Sequence, residues 1–569
     1  MKTPSARVAA ALAALAFAFP ATAGDRISGR PFATRSVVYA RHGMVAAMHP
    51  LAAQIGIDIL KKGGSAVDAA VAVNAALGVM EPTSCGIGGD LFALVWDAKA
   101  RKLHALVASG RAPLAIRADK VTPMPDGTIP LNTPFAWTVP GTVDGWFELH
   151  AKFGRLPMAE VLAPAIRAAR EGEPVPQTIA GGWGRAARLH KDRAGFAAVF
   201  LPEGRAPKEG EVFRNPALAR AYELLAKDGR DAYYKGPIAR DLVAFSQKNG
   251  GFFALEDFAR HRSEWVEPIS TEYRGVRVFE IPPPTQGISA LQMLNILEGF
   301  DLRAMGRDSV AFWHTMVEAK KIVYEDRAKF VGDPAFAKVP VAGLLSKEYA
   351  KERAKLIDPE RAQLRIEAGI PALGPGDTTY FTTADADGNM VSLIQSNYTG
   401  FGSGYALPEW GFGIHNRGAL FDLKPGRPNS LEPGKRPFHT IIPAFAMRDG
   451  EPWLSFGVMG GDMQPQGHVQ VIVNLVDFGM NLQEAGDAPR FHHEDSSEPT
   501  GTPLTASGGQ LHLESGVPAE IRRDLVAKGH RVVESLGSYG GYQAIAWDPK
   551  QRVWAGASES RRDGAAIGY

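Results

Sequence analysis

The sequence predicts a layered α+β sandwich built by the whole chain, on three observations. Segments with helical apolar spacing recur from Leu51 to Lys329. A Thr-rich hairpin pattern runs from Asp377 to Ser396. After Gly404 short strand-type runs dominate, interrupted by two helical ones. Helices early and late with strands between them fit sheets covered by helical layers. No internal repeat or low-complexity tract divides the 569 residues, a length that supports a large core in more than one structural unit.

In chain order, Leu51, Ile55, Ile59 and Leu60 give the stretch from Leu51 to Lys62 a helical spacing, and Gly63-Gly64 stops it. Ser65-Ala66-Val67-Asp68 has the form of a capping box. Ala69 to Val79 is apolar nearly all round, which places this second helix in the interior. A loop over Pro82 to Gly89 precedes strands at Leu91 to Trp96 and Leu103 to Ser109, and Gly110 to Pro113 is again a loop. A turn followed by a helix start spans Val139 to Trp146, with further helices at Met158 to Glu171 and Asn215 to Lys227. Val276 to Ile281 reads as a strand closed by Pro282-Pro283-Pro284. Ser289 to Glu298 and Ser309 to Lys329 read as amphipathic helices. Arg353 to Pro375 is polar and poorly periodic, an exposed approach to Asp377.

Asp377 to Thr383 is rich in β-branched and aromatic residues, which suit a pleated strand. Asp385 to Asn389 tolerates positive φ and reverses the chain, and Met390 to Ser396 returns as a second strand. Strands are then expected at Ile441 to Arg448, Trp453 to Val458, Gln510 to Leu513, Gln543 to Trp547 and Val553 to Ala557. Helices are expected at Gln466 to Phe478 and Pro518 to Lys528.

Apolar residues make up 45% of the chain and charged residues 22%, ordinary for a soluble globular protein. The 63 Lys and Arg nearly cancel the 61 Asp and Glu, which gives no support for a nucleic-acid partner. Lys2 and Arg7, an apolar run from Val8 to Phe19 and the Ala21-Thr22-Ala23 ending form a secretory signal over residues 1–23. The run is too short to span a bilayer, so the expectation is export to the periplasm or beyond without a membrane anchor. Cys85 is the only cysteine, so no internal disulfide forms.

Thr378 is the candidate nucleophile. Cutting the peptide bond before it would free an α-amine two bonds from the side chain, and that amine can act as the base the weak hydroxyl needs. Its pKa of roughly 7.7–8.0 leaves it partly neutral near physiological pH. The bland alternative is that Thr378, Thr379, Thr382 and Thr383 are simply strand formers. Gly460-Gly461 could offer two unobstructed N–H donors to an oxyanion, or merely end a strand. Arg111 could clamp a carboxylate or lie idle on the surface.

Other patterns fail. The Asp385 loop has Met390 and Ser396 where a calcium loop needs Gly and Glu. His492-His493 lacks a His-Glu-x-x-His context. Gly400 to Gly404 lacks the last glycine of a dinucleotide fingerprint. No P-loop or nucleophile elbow occurs, and no cofactor or metal is called for.

Taken together, these segments resemble the γ-glutamyltransferase (glutathione hydrolase) family of N-terminal-nucleophile hydrolases. The similarity is carried by Gly43 to Ala46, Gly63 to Ala72, Val139 to Val143, Pro282-Pro283-Pro284 and Asp377-Thr378-Thr379. It continues through Lys435-Arg436-Pro437, Gly460-Gly461, Ala488 to His493 and Asp563 to Tyr569. The resemblance implies a four-layer αββα sandwich and an exported proenzyme that cuts itself between Asp377 and Thr378. A large subunit, residues 24–377, and a small subunit, residues 378–569, would result. The same hydroxyl would then open γ-glutamyl amides and pass the acyl group to water or an amine. Gly460 and Gly461 match the family's oxyanion-hole glycines, and Arg111 matches the arginine for the substrate α-carboxylate. Ser396 falls where a threonine hydrogen-bonds the nucleophile.

The chain departs from the family around the α-ammonium site. The family's glutamine and aspartate there fall on Arg417 and Leu420, with Asp422 reaching in only from a shifted register. The paired serines fall on His439 and Thr440, and the asparagine on Tyr398, with Asn397 one place off. Leu420 cannot pair with an ammonium and Arg417 repels one. This points toward the related acylases, which take glutaryl-type groups with a carboxylate and no amine. The leading expectation is a self-processing γ-glutamyltransferase-type amidohydrolase that cleaves γ-glutamyl amides; the alternatives are a glutaryl or cephalosporin-type acylase of the same family and an exported non-catalytic protein that kept the fold.

Overall fold

The computed structural model describes residues 29–366, 377–501, 505, 507–534 and 538–569. The expected signal at 1–23 and the last stretch before Asp377, residues 367–376, lie outside the described residues. No helix among the described residues is long and apolar enough to cross a membrane.

Local signals set the first elements. After the short strands Val38–Ala40 (β1) and Met44–Ala47 (β2) comes helix Pro50–Lys61 (α1), and Gly63 follows with φ 91°. The capping box closes as expected: Ser65 Oγ accepts from Asp68 N and the Asp68 carboxylate accepts from Ser65 N. Helix Ala66–Met80 (α2) is buried along its entire length. Strands Asp90–Asp97 (β3) and Lys102–Ala108 (β4) follow, and then, further on, Glu264–Val266 (β5), Ile269–Tyr273 (β6) and Val276–Glu280 (β7). Helices Gly287–Leu297 (α3) and Val310–Phe330 (α4) lead towards the hairpin of Asp377–Ala384 (β8) and Met390–Tyr398 (β9). Strands Ala444–Arg448 (β10) and Glu451–Met459 (β11), helix Met463–Val476 (α5), and strands Gly541–Asp548 (β12), Val553–Ser558 (β13) and Ala565–Gly568 (β14) complete the frame.

The strands form two seven-stranded antiparallel sheets. One has the order β14-β2-β8-β9-β3-β4-β5, the other β1-β13-β12-β11-β10-β7-β6. Strand alternation gives each sheet two apolar faces. Phe92, Leu94, Tyr380, Phe445 and Ile545 pack between the sheets. Phe381, Val391 and Leu393 pack outward with α1 and α2. On the far side Phe456, Val458 and Ala544 pack with α3, α4 and α5. The result is the αββα sandwich, α+β in class.

The structure corrects the helix expectation in one respect. The helices at Ser289 to Glu298 and Ser309 to Lys329 are not amphipathic in their surroundings. Every residue of α3 is buried, and so is α4 from Phe312 to Arg327. Their polar residues are satisfied inside: Lys321 pairs with Glu318 at 2.7 Å and Asp326 with Arg353 at 3.0 Å. Helix Gln177–His190 had no sequence signal, because Gly181, Gly182 and Gly184 dilute its pattern. Tertiary contacts supply what propensity lacks: Ile179 and Trp183 are buried, and the Asp563 carboxylate accepts from the N–H groups of Thr178 and Ile179.

Strand β8 meets β11 face to face across the two sheets. Thr382 Oγ1 lies 2.7 Å from Ser455 Oγ, and a Cβ on Gly457 would stand 2.6 Å from the Tyr380 ring. Moving from Thr382 to Tyr380 thus advances β11 from Ser455 to Gly457. Continuing that advance by two residues carries β8 to Thr378 and β11 to Met459, the residue before Gly460. Gly457→Val should therefore lower stability by about 1–3 kcal/mol through overpacking, read as a lower thermal midpoint. Gly343→Ala, where an added Cβ meets nothing within 4 Å, should stay within roughly 0.5 kcal/mol.

Candidate active site

Thr378 sits at a break in the β8–β9 register: Asp377 pairs with Tyr398, Thr379 with Gln395. Such a bulge re-aims the side chain it carries. Thr378 is fully buried, and its Oγ1 lies 3.2 Å from Ser396 Oγ. Thr379, on the opposite face, donates to Glu81 at 2.9 Å. The break thus separates one threonine for the inner face from one for the helix face.

A continuous set of contacts leads away from Thr378. Ser396 Oγ accepts from Tyr398 N at 2.8 Å. Tyr398 has φ 76°, unusual for an aromatic residue, and is held there by that bond. The Arg417 guanidinium lies 4.8 Å from the Tyr398 ring centre, and Arg417 Nη1 donates to Thr440 Oγ1 at 2.8 Å. Gln286 Nε2 donates to the carbonyls of Thr440 and Gly461, the latter at 2.9 Å. Gln286 is in turn bonded by Arg327, which also pairs with Asp462 at 3.0 Å and with Glu498. Gly460 and Gly461 have φ 118° and 58°, the left-handed side that glycine adopts without strain. Met463 N and Gln464 N bond their carbonyls and fix both peptide planes.

Arg417 is held in the short turn Arg417–Leu420, where Gly418 passes too close to Ala136 for a side chain. Four arginines are buried among the described residues: Arg327, Arg417, Arg436 and Arg490. Arg327 pairs with Asp462 and Glu498, Arg436 with Glu264, Arg490 with Glu559. Among the described residues Arg417 has no ion pair within bonding distance, and its Nε and Nη2 have no hydrogen-bond partner. Burial draws its pKa down to about 10, with Asp90 opposing, so it remains a cation at neutral pH.

Asp90, opposite Ser396 in the sheet, is the nearest buried acid in this network. Its Oδ2 lies 3.1 Å from His439 Nε2 and 3.6 Å from His415 Nδ1. Burial raises the Asp90 pKa, but the neighbouring His415, His439 and Arg417 outweigh it and hold it at about 2.

Of the site residues expected from sequence, Thr378, Ser396, Tyr398, Arg417, Thr440 and Gly461 fall on one connected path. Gly460 adjoins it, and His439 joins it through Asp90. Arg111 has partners of its own: its guanidinium bonds Glu264 at 2.8 Å, Asp333 at 3.5 Å and the Gly434 carbonyl at 3.1 Å. It is one-third exposed on a cavity of about 340 Å³. Leu420 is fully buried among Ile288, Tyr398 and Phe438. Asp422 does not reach in from a shifted register; it pairs with Arg427 at 3.0 Å and accepts from Lys424 N. Asp90 and Gln286 went unmarked. An acid heading the otherwise apolar strand Leu91 to Trp96 was the available signal for Asp90; Gln286, after Pro284-Thr285, had none.

The Gamma-glutamyltranspeptidase family model matches residues 52–569. The chain is 38% identical over 530 residues to the glutathione hydrolase-like YwrD proenzyme of Bacillus subtilis, covering 92% of this chain and 98% of that one. It is 38% identical over 535 residues to the acylase ACY 1 proenzyme of Pseudomonas sp. (strain SE83), covering 92% and 93%. Among solved structures, a cephalosporin acylase from Bacillus halodurans superimposes with a TM-score of 0.87 at 44% identity, covering 96% of this chain and 99% of that one.

Ser396→Ala removes the acceptor of the buried Tyr398 N–H. It should cost about 1–3 kcal/mol, the penalty for stranding a buried donor, seen as a lower urea midpoint. Ser396→Thr keeps the hydroxyl and should recover most of the loss.

Proposed function

The chain belongs to the gamma-glutamyltranspeptidase family, and from that premise we propose that it is a self-processing amidohydrolase with Thr378 as its nucleophile. The observation that carries this reading is the contact of Thr378 Oγ1 with Ser396 Oγ at the bulged head of β8. The proenzyme names of the two relatives favour it too.

In processing, Thr378 Oγ attacks the Asp377 carbonyl carbon. The C–N bond breaks, an ester links Asp377 to Thr378, and the Thr378 nitrogen becomes an amine. Water then cleaves the ester, leaving a carboxylate on Asp377 and a free Thr378. In turnover that amine takes the hydroxyl proton as Oγ attacks the substrate amide carbon. The N–H groups of Gly460 and Gly461 receive the oxyanion. The leaving amine departs with the proton, and water or an amine acceptor releases the acyl group.

The substrate is the mono-amide of a dicarboxylic acid without an α-amine, and its acyl group carries the free carboxylate. Arg417 supports this: a buried cation with two unpaired donors suits a carboxylate. Around it Leu420 offers nothing to an ammonium, and Asp422 is taken by Arg427. The cephalosporin acylase and acylase ACY 1 likenesses fit the same choice. A second reading, γ-glutamyl donors, rests on Arg111 at its cavity, where Glu264 and Asp333 already balance its charge.

Thr378→Ala should run as one uncut chain on a denaturing gel, while the unmodified protein gives two fragments, the smaller beginning Thr-Thr-Tyr by Edman sequencing. Normal cutting of the variant would end the nucleophile assignment. Glutaryl anilide should be turned over in preference to γ-glutamyl anilide. Arg417→Met should lower kcat/KM on the glutaryl substrate by about 100-fold, the scale of one buried charge pair. It should leave self-cleavage intact, which shows that the variant folds.

A further inference from the structure

Hydrogen positions around Asp90 are fixed by its neighbours. His439 Nδ1 lies 2.7 Å from the Pro437 carbonyl oxygen, which can only accept, so this nitrogen carries a hydrogen. In the neutral ring Nε2 is then bare, and it faces Asp90 Oδ2 at 3.1 Å. His415 repeats the pattern. Its Nε2 lies 2.9 Å from the Thr138 carbonyl oxygen, so a neutral ring leaves Nδ1 bare, 3.6 Å from the same Asp90 oxygen. His415 Nδ1 has no hydrogen-bond partner. The other Asp90 oxygen is occupied by the N–H groups of Gly110 and Gly141. Two bare nitrogens and one carboxylate oxygen thus converge with no donor between them.

We infer that this cluster takes up one proton when the pocket binds the carboxylate of its substrate. The inference rests on the reading of Arg417 as carboxylate receptor. In the free protein Arg417 and Asp90 balance, and burial keeps both imidazoles below their ordinary pKa. The other side chains facing the cluster add no charge, and the one further titrating group is the Thr378 α-amine of the processed chain, at roughly 7.7–8.0, reached through Ser396 opposite Asp90. Burial pushes the Tyr398 and Tyr233 phenols up, so both stay neutral, and it lowers His261 to about 4. A bound carboxylate adds one negative charge to a closed, buried set. A proton placed between Asp90 and His439 restores neutrality and turns an acceptor-to-acceptor contact into a charge-assisted hydrogen bond. Binding and protonation are then linked reciprocally: carboxylate binding raises the imidazole pKa, and protonation strengthens carboxylate binding. Asp90 and His439 become residues that set specificity through Arg417, without touching the reacting atoms.

The probe is pentanoate, which has the length of glutarate but a single carboxylate, bound to the self-processed protein and followed by titration calorimetry in buffers of different ionisation enthalpy. At about pH 7.5, above the ordinary imidazole pKa of roughly 6.5, close to one proton should enter per pentanoate bound. Across the window between the free and bound imidazole pKa values, Kd should rise about tenfold per pH unit. Asp90→Asn keeps an oxygen for Gly110 and Gly141 and gives an amide to His439 Nε2; its proton uptake should vanish and its Kd become independent of pH. Should that variant not fold, the unmodified protein alone decides. Binding with no proton uptake overturns the inference and leaves Arg417 as the receptor. No pentanoate binding overturns the Arg417 reading, and this inference with it.

Discussion

Everything at the site depends on how closely the two sheets approach between β8 and β11. Gly457 has no side chain, and the Tyr380 ring occupies the space one would fill. Thr382 and Ser455 join hydroxyls two residues along. These contacts fix the stagger between the strands, because a shift of one residue would turn Tyr380 and Thr378 towards the helices. With the stagger set, the Thr378 hydroxyl and the Gly460-Gly461 turn arrive at the same end of the interior. The tight turn at Gly460 is itself braced from behind, by Gln286 on the Gly461 carbonyl and by Arg327 on Gln286. Precise placement of donors is what oxyanion chemistry requires, since small misplacements are costly in rate.

The same tightness explains the unusual backbone at Tyr398. An aromatic residue at positive φ stores of order 1–3 kcal/mol, which neighbouring contacts must offset. Here the Tyr398 N–H reaches back to Ser396 Oγ, and the ring lies against Arg417. One hydroxyl therefore serves two ends of the site. It meets Thr378 on one side and anchors the wall that carries the acyl-pocket arginine on the other.

Much of this was legible in the sequence, for identifiable reasons. The hairpin from Asp377 was readable because β-branched runs flank a turn rich in Asp and Asn. The capping box at Ser65 and the apolar run of α2 are local signals, and both appear as read. What escaped depends on long-range contacts. Helix Gln177–His190 contradicts its own glycine content and stands on Asp563, nearly four hundred residues away. Helix α4 looked amphipathic because its partners Arg353, Asp462, Ser496 and Glu498 come from distant segments that no local pattern reveals. At the site, residue types at Thr378, Ser396 and Arg417 were readable; the pairing of Arg111 with Glu264 and of Asp90 with two histidines was not.

The four buried arginines show how to tell a structural cation from one kept for a ligand. Placing a guanidinium in the interior opposes its charge, and the usual remedy is a carboxylate within hydrogen-bond reach. Arg327 has two, and they raise its pKa against the effect of burial. Arg490 has Glu559 and two backbone carbonyls. Arg436 has Glu264. Arg417 has one hydroxyl, a ring face and a carboxylate that is near but already ringed by two imidazoles and two backbone N–H groups. Burial lowers its pKa, as it does those of Arg436 and Arg490, so the difference lies in the partners and not in the direction of the shift. A protein gains nothing in stability from a buried donor left unpaired. The arrangement is understandable when the missing partner belongs to the substrate, which brings its carboxylate to the place where the interior lacks one.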